Sequence, residues 1–107
     1  MKYLTLKAAI LAAKEKYGIH ELDLPTRELL HAIGHADFSG ERVCISDLKN
    51  QGFHGTLPTV LTRLDMLVDG GWVQRREDKS DKRVFLLKPT AKARKAFQKI
   101  SAMLGVD

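Results

Sequence analysis

The chain has 107 residues, 44% of them apolar and 29% charged, and carries 18 basic side chains against 13 acidic ones for a net charge of +5. A chain of this length makes one domain, residues 1–107, able to bury roughly 60% or more of the surface its unfolded form exposes, so one modest core is expected. Composition excludes a membrane span, because no run of eighteen apolar residues occurs, and it excludes an internal disulfide or a CxxC metal half-site, because Cys44 is the only cysteine.

In chain order, Tyr3, Leu6, Ile10, Ala13 and Tyr17 recur at helical spacing while Leu4, Ala8, Leu11 and Ala12 fill an adjacent stripe. This pattern predicts a first helix that is apolar around much of its circumference and needs cover on two sides, ended by Gly18. Lys7, Lys14, Glu15 and Lys16 interrupt the stretch, which lacks the apolar centre and cleavage site of a signal peptide, so a cytoplasmic location is expected. Pro25 suits the first turn of a second helix whose buried stripe is Leu29, Leu30, Ile33 and Ala36. The run Arg42-Val43-Cys44-Ile45 is too short for a helix and reads as a brief strand. Ser46 then serves as N-cap of a stubby third helix, Asp47 to Gln51, closed by Gly52.

Thr56 is placed to cap a fourth helix, with Pro58 in its first turn and Leu57, Val60, Leu61, Leu64, Leu67 and Val68 at helical spacing up to Gly70-Gly71. Its opposite face carries Thr59, Thr62, Arg63 and Met66, a slim and mostly polar surface. Two strands, Trp72 to Arg76 and Arg83 to Lys88, flank a charged turn and form a hairpin. Pro89-Thr90 starts a last helix with Ala96, Phe97, Ile100, Met103 and Leu104 inward and Lys92, Lys95 and Lys99 elsewhere.

Charge is unevenly placed. Residues 71–107 hold ten basic side chains against four acidic ones, while the remainder is close to balanced. A basic surface of this kind suits a polyanionic partner, since each cation set against a phosphate releases a condensed counterion.

The fold class this order defines is α+β, mostly α: helix, helix, short strand, helix, helix, strand, wing, strand, helix, a winged helix-turn-helix. In such a domain the second helix of the pair, here about residues 57–69, enters the major groove, and the wing, about 75–83, lies on the adjoining backbone or minor groove. Arg75, Arg76, Lys79, Lys82 and Arg83 concentrate on that wing.

The stretch Gly71-Trp72-Val73-Gln74-Arg75-Arg76-Glu77-Asp78-Lys79-Ser80-Asp81-Lys82-Arg83, followed by Leu86-Leu87 and Thr90, resembles the wing of MarR-type bacterial transcription regulators. The hallmark is Asp81-x-Arg83. Upstream, Ser46-Asp47-Leu48 and Thr56 through Leu64 are similar to the helix-turn-helix of that family. The resemblance implies that Asp81 braces the wing and that Arg83 or Lys82 reaches the minor groove. It further implies that Thr59, Thr62 and Arg63 face the major groove, and Thr56 at the start of the same helix is counted with them among the DNA-binding residues. Two departures stand out: Ala93 occupies a position where the family usually has glycine, and the chain reads as a short form without the long C-terminal helix that makes most of the usual dimer interface. The double apolar stripe of the first helix suggests a homodimer formed instead through the N- and C-terminal helices.

Other residues admit plainer readings. His31 and His35 stand four apart, a spacing able to grip a metal, yet no HExxH arrangement accompanies them, and a surface or half-buried pair is the expectation, with no metal and no cofactor. Cys44, between Val43 and Ile45, reads as a small buried apolar residue. No acidic side chain lies one helical turn from Arg63, which leaves it available for phosphate or guanine. No nucleophile, base and orienting group occur at recognisable spacing, so no enzyme is expected. The sequence therefore reads as a duplex-DNA-binding regulator, most simply a repressor, that touches no membrane. The alternatives are a winged helix used for protein contact in a larger assembly and a ligand- or metal-responsive sensor built on His31 and His35.

Overall fold

Glycine and proline punctuate the helices as their backbone preferences require. Helix α1 (Lys2–Tyr17) ends where Gly18 takes φ 81°, a left-handed conformation that glycine adopts without steric cost, and its N–H returns to the carbonyls of Lys14 and Glu15. The computed structural model describes residues 1–45, 47, 56–81 and 83–103. After a 3-10 turn (Ile19–Glu21), helix α2 (Leu24–Phe38) begins at Asp23, whose carboxylate accepts the Thr26 N–H at 2.9 Å, with Pro25 in the first turn. Helix α3 (Leu57–Asp69) carries Pro58 in its own first turn and leads through Gly70-Gly71 into strand β1 (Val73–Glu77). Strand β2 (Phe85–Pro89) pairs antiparallel with β1, Val73 opposite Pro89 and Glu77 opposite Phe85, and helix α4 (Ala91–Met103) follows.

The core forms where these elements converge. Leu29, Leu30 and Ile33 of α2 meet Val60, Leu64 and Leu67 of α3, with Ile19, Trp72, Val73, Leu87, Ala93 and Ala96 closing the cluster. Burying each larger aliphatic side chain contributes about 1.5–3 kcal/mol, so α3 is held by one face while its other face stays open. Trp72 is buried under the ammonium of Lys92, 4.0 Å from the ring, and Lys92 also donates to the Gly70 carbonyl at 3.0 Å. The hydroxyl of Thr90 donates to the Gly71 carbonyl at 2.6 Å and accepts the Ala93 N–H at 3.3 Å. These bonds tie the start of α4 to the end of α3.

Several expectations need correction. Cover reaches α1 on one side only: Ala13 is buried, but Tyr3 and Leu4 are 68% and 55% exposed, and Leu6 and Leu11 are open as well. The two hairpin strands each sit a residue or two later than the alternation suggested. Pro89 ends β2 instead of opening the helix, a position where its missing N–H is tolerated, and Thr90 takes over at the helix start. Around Arg42-Val43-Cys44-Ile45 the described residues form no strand, only a single bridge from Cys44 to Leu86 supported by the Leu87 N–H on the Val43 carbonyl at 2.8 Å. The expected cap at Ser46 and the helix to Gln51 with Gly52 lie outside the described residues except for Asp47. Helical backbone already begins at Ile45, because Asp47 reaches back to accept the Cys44 N–H at 2.9 Å, as in a capping box. Cys44 is accordingly half-buried instead of buried, its Sγ 3.1 Å from the Asp47 carboxylate. On α4 the fully buried positions are Ala93 and Ala96, with Phe97 and Ile100 half-buried; Leu104 lies outside the described residues. Ala93 has no exposed surface, which explains why only a small side chain fits where the resembling family carries glycine.

Candidate nucleic-acid interface

The outer face of α3 follows from its inner one. With Val60, Leu64 and Leu67 buried, helical geometry turns Thr62 and Met66 outward, and both are exposed, as is Thr56; Thr59 and Arg63 are half-exposed. Thr56 occupies the N-cap position without capping: its hydroxyl meets the Thr59 hydroxyl at 3.0 Å. Thr62 donates to the Pro58 carbonyl at 3.0 Å, in the i to i−4 manner of helical threonines. A hydroxyl has one hydrogen and two lone pairs, so Thr62 keeps its acceptor capacity for a donor on an approaching surface. Arg63 is electrostatically engaged across the helix pair. The Asp23 carboxyl is held below the usual carboxylate range first by the Thr26 side chain and N–H, against burial, and then by the charges of Arg63 and Arg27. A search within α3 could not find Asp23, because the acid belongs to the start of α2.

The hairpin is fastened by three ion pairs. Arg75 on β1 pairs with Asp65 on α3, which locks the base of the wing to the helix. Arg42, from the segment after α2, pairs with Asp78 at the wing's first corner. Asp78 also accepts the Ser80 N–H and hydroxyl at 3.0 and 3.1 Å, and the Asp78 N–H bonds to the Val84 carbonyl at 2.9 Å. At the second corner Asp81 accepts the Arg83 N–H at 3.0 Å, its Nε at 3.1 Å and its Nη2 at 3.3 Å. The Arg83 side chain is nevertheless 91% exposed, a planar fork held at one edge and open at the other. Arg76 and Lys79 are exposed, and Arg76 bonds weakly to Gln74 at 3.4 Å. Lys82 lies outside the described residues.

Asp81 thus pairs within the wing, whereas Asp78 turns to Arg42. Arg42 and Asp65 carry roles that the sequence reading missed. Asp65 and Arg75 sit on either side of the Gly70-Gly71 turn, and a chain folding back at that turn brings them together, so this signal was available. Arg42 is 36 residues from Asp78 and offered none.

Both wing acids are held below the usual carboxylate value. In Asp78 the Ser80 N–H is the main cause, against burial, with the Ser80 hydroxyl and Arg42 adding to it. In Asp81 the Arg83 side chain leads, then the Arg83 N–H, opposed by burial and by the charge of Asp78. The unfolded chain therefore binds more protons than the folded one. Stability from these groups is fully present above the unfolded value of about 3.9 and is lost as pH falls through the folded values. Asp78→Asn is expected to be less stable at pH 7 and to show a shallower loss of stability between about pH 4 and 2, read by urea unfolding at each pH. Parallel pH profiles for the two proteins would contradict the bracing role.

His31 packs edge-on to Phe97 with ring centroids 6.2 Å apart, and burial, then Lys14 and Arg27, lower its pKa against the pull of Glu28. His31 and His35 line one side of a cleft of about 400 Å³ between α2 and α4. Among the described residues no group of three or more His, Cys, Asp or Glu side chains is placed to hold a metal, and no helix is long and apolar enough to cross a membrane.

A helix with one buried and one polar face, followed by a braced basic hairpin, defines a winged-helix domain. No protein-family model matches the chain, and neither does any curated protein. Solved structures do match. A structure of a mutant of MarR from E. coli, in complex with operator DNA, is 20% identical with a TM-score of 0.62, covering 96% of this chain and 70% of its own. The transcriptional regulator BldR from Sulfolobus solfataricus is 22% identical with a TM-score of 0.60 over 96% of this chain and 70% of its own. A mutant of S. aureus MepR is 18% identical with a TM-score of 0.65 over 89% and 67%. The chain has the winged-helix fold of these MarR-type proteins.

Proposed function

We propose that the protein is a duplex-DNA-binding transcription regulator, acting by occupying a promoter site, with α3 in the major groove and the wing on the adjoining backbone or minor groove. The observation that carries this reading is the pairing of an exposed hydroxyl-bearing face on α3 with an open Arg83 fork, while Arg75 to Asp65 ties hairpin to helix. A mutant of E. coli MarR with this fold has been solved on its operator, which supports the same use here. In this arrangement Thr59, Thr62 and Arg63 meet base edges, Thr56, Arg76 and Lys79 meet phosphates, and Arg83 or Lys82 reaches the minor groove. Arg75 steadies the wing from below. The test is fluorescence anisotropy on unrelated duplexes at several salt concentrations: log affinity should fall steeply with log salt, by about 0.9 per phosphate neutralised. A flat, millimolar response would favour use of this surface for protein contact.

The exposed apolar half of α1 supports a homodimer. Tyr3, Leu4, Leu6 and Leu11 leave more open apolar surface on one helix than a solvated helix needs, and a second copy would cover it. Two copies related by a two-fold axis would set their α3 helices on half-sites about one turn apart, roughly 10 base pairs. Sedimentation equilibrium at micromolar concentration should give twice 12.0 kDa, and Leu6→Lys should return the monomer. A wild-type monomer throughout that range would reject this pairing.

A further inference from the structure

Much of the charge excess of this protein lies outside its wing. Helices α1 and α4 together carry eight basic side chains and one acidic, Glu15, whereas the rest of the chain carries ten basic against twelve acidic. Two of the wing's arginines are matched, Arg75 with Asp65 and Arg83 with Asp81, and nearby Arg42 takes Asp78, while Arg76 meets only Gln74. On α4, Arg94 pairs with Asp37 at 3.2 Å, but Lys95 and Lys99 have no carboxylate within ion-pair distance among the described residues, nor has Lys16 on α1.

We infer that the packed α1 and α4 helices form a second phosphate-binding surface, which grips the backbone of duplex DNA away from the stretch read by α3. Lys92, Lys95 and Lys99 fall on one face of α4 and span about 10 Å of helix axis. Lys16 shares a cleft with Lys99, Ala12, Ala13 and Tyr17, so α1 extends the same cationic surface. B-DNA presents a negative charge about every 1.7 Å along its axis, so several phosphates lie under such a row. Lys95 and Lys99 repel one another at i, i+4, and α4 has no acidic side chain to relieve them, unlike an ordinary solvated helix with mixed charge. A polyanion relieves that repulsion. Lys92 anchors the row beside the end of α3 through Gly70 and Trp72. The exposed apolar side chains of α1 cluster in its first eleven residues, whereas Lys16 sits near its other end, so dimerisation and this surface use different parts of the helix.

The inference stands apart from the reading of α3 and the wing, and one experiment separates them. Anisotropy of a fluorescent 20-base-pair duplex of arbitrary sequence is measured against salt for wild type, Arg83→Ala, and the triple variant Lys16→Gln, Lys95→Gln, Lys99→Gln. Lys92 is left intact because it packs on Trp72. The triple variant should melt like wild type, lose roughly ten-fold in affinity at low salt, and shed about 2 to 3 from the log-log slope. Replacement of the same three lysines by arginine should restore both. A slope and affinity equal to wild type in the glutamine variant would overturn the inference, as would poly-L-glutamate competing with DNA equally per charge. If Arg83→Ala binds like wild type while the glutamine variant is weakened, the wing reading fails and this one stands.

Discussion

Leu64→Ala is expected to destabilise the protein by about 2–5 kcal/mol, whereas Thr62→Ala, two residues away on the same helix, should change stability by no more than about 0.5 kcal/mol. Leu64 has no exposed surface and sits in the cluster joining α3 to Leu29, Leu30 and Ile33 of α2. Truncation removes its transfer energy and leaves a cavity that the surrounding aliphatics fill only in part. Thr62 touches solvent, and its one bond, to the Pro58 carbonyl, replaces nothing that water could not supply. A domain of this size has about 5–15 kcal/mol of stability, and each kcal/mol moves Tm by about 4–8 °C, so Leu64→Ala should melt tens of degrees lower. Circular dichroism melting of the two variants checks this, and equal shifts would mean that the faces of α3 have been assigned the wrong way round.

The contrast between those residues also shows why so much of this fold was legible. Apolar spacing in α2 and α3 specifies which face is buried, since a periodicity of 3.6 leaves no alternative once Gly18, Pro25, Pro58 and Gly70 fix where helices start and stop. Every residue of the predicted α2 stripe, Leu29, Leu30, Ile33 and Ala36, is buried. Periodicity says nothing about which helix covers which, and it therefore overstated the cover on α1. It also placed Pro89 in the helix: a proline suits a first helical turn and a strand end equally, and the pairing with Val73 that decides between them is not local. The charge placement was legible only in part, for a similar reason. Counting along the chain put the excess in its last third, but it did not show that Asp65 takes Arg75 and Arg42 takes Asp78 across the fold, nor that exposed cations stand both on the wing, at Arg76 and Lys79, and on α4, at Lys95 and Lys99. Arg63 and Asp23 repeat the lesson, because a charge's partner is set by tertiary packing and only sometimes by the adjacent helical turn.

Arg83→Ala should weaken binding by about ten- to a hundred-fold on any duplex, the range for loss of a charged contact of about 1–3 kcal/mol. Asp81 holds Nε and one edge of the guanidinium, fixing its direction, while the outer edge remains open, so little side-chain entropy is left to be lost on meeting DNA. The loss should be uniform across sequences because phosphate and minor-groove contacts carry little base information. Thr59→Ala should behave differently: binding to unrelated duplexes stays within about two-fold, while preference for a site selected by binding from fragments of genomic DNA falls by about ten-fold or more. The most direct test is therefore a paired titration of wild type, Arg83→Ala and Thr59→Ala against the strongest genomic fragment and a scrambled duplex at one salt concentration. The structure predicts a general loss for the arginine variant and a site-restricted loss for the threonine variant. If both variants bind both duplexes as wild type does, this helix and hairpin do not meet DNA.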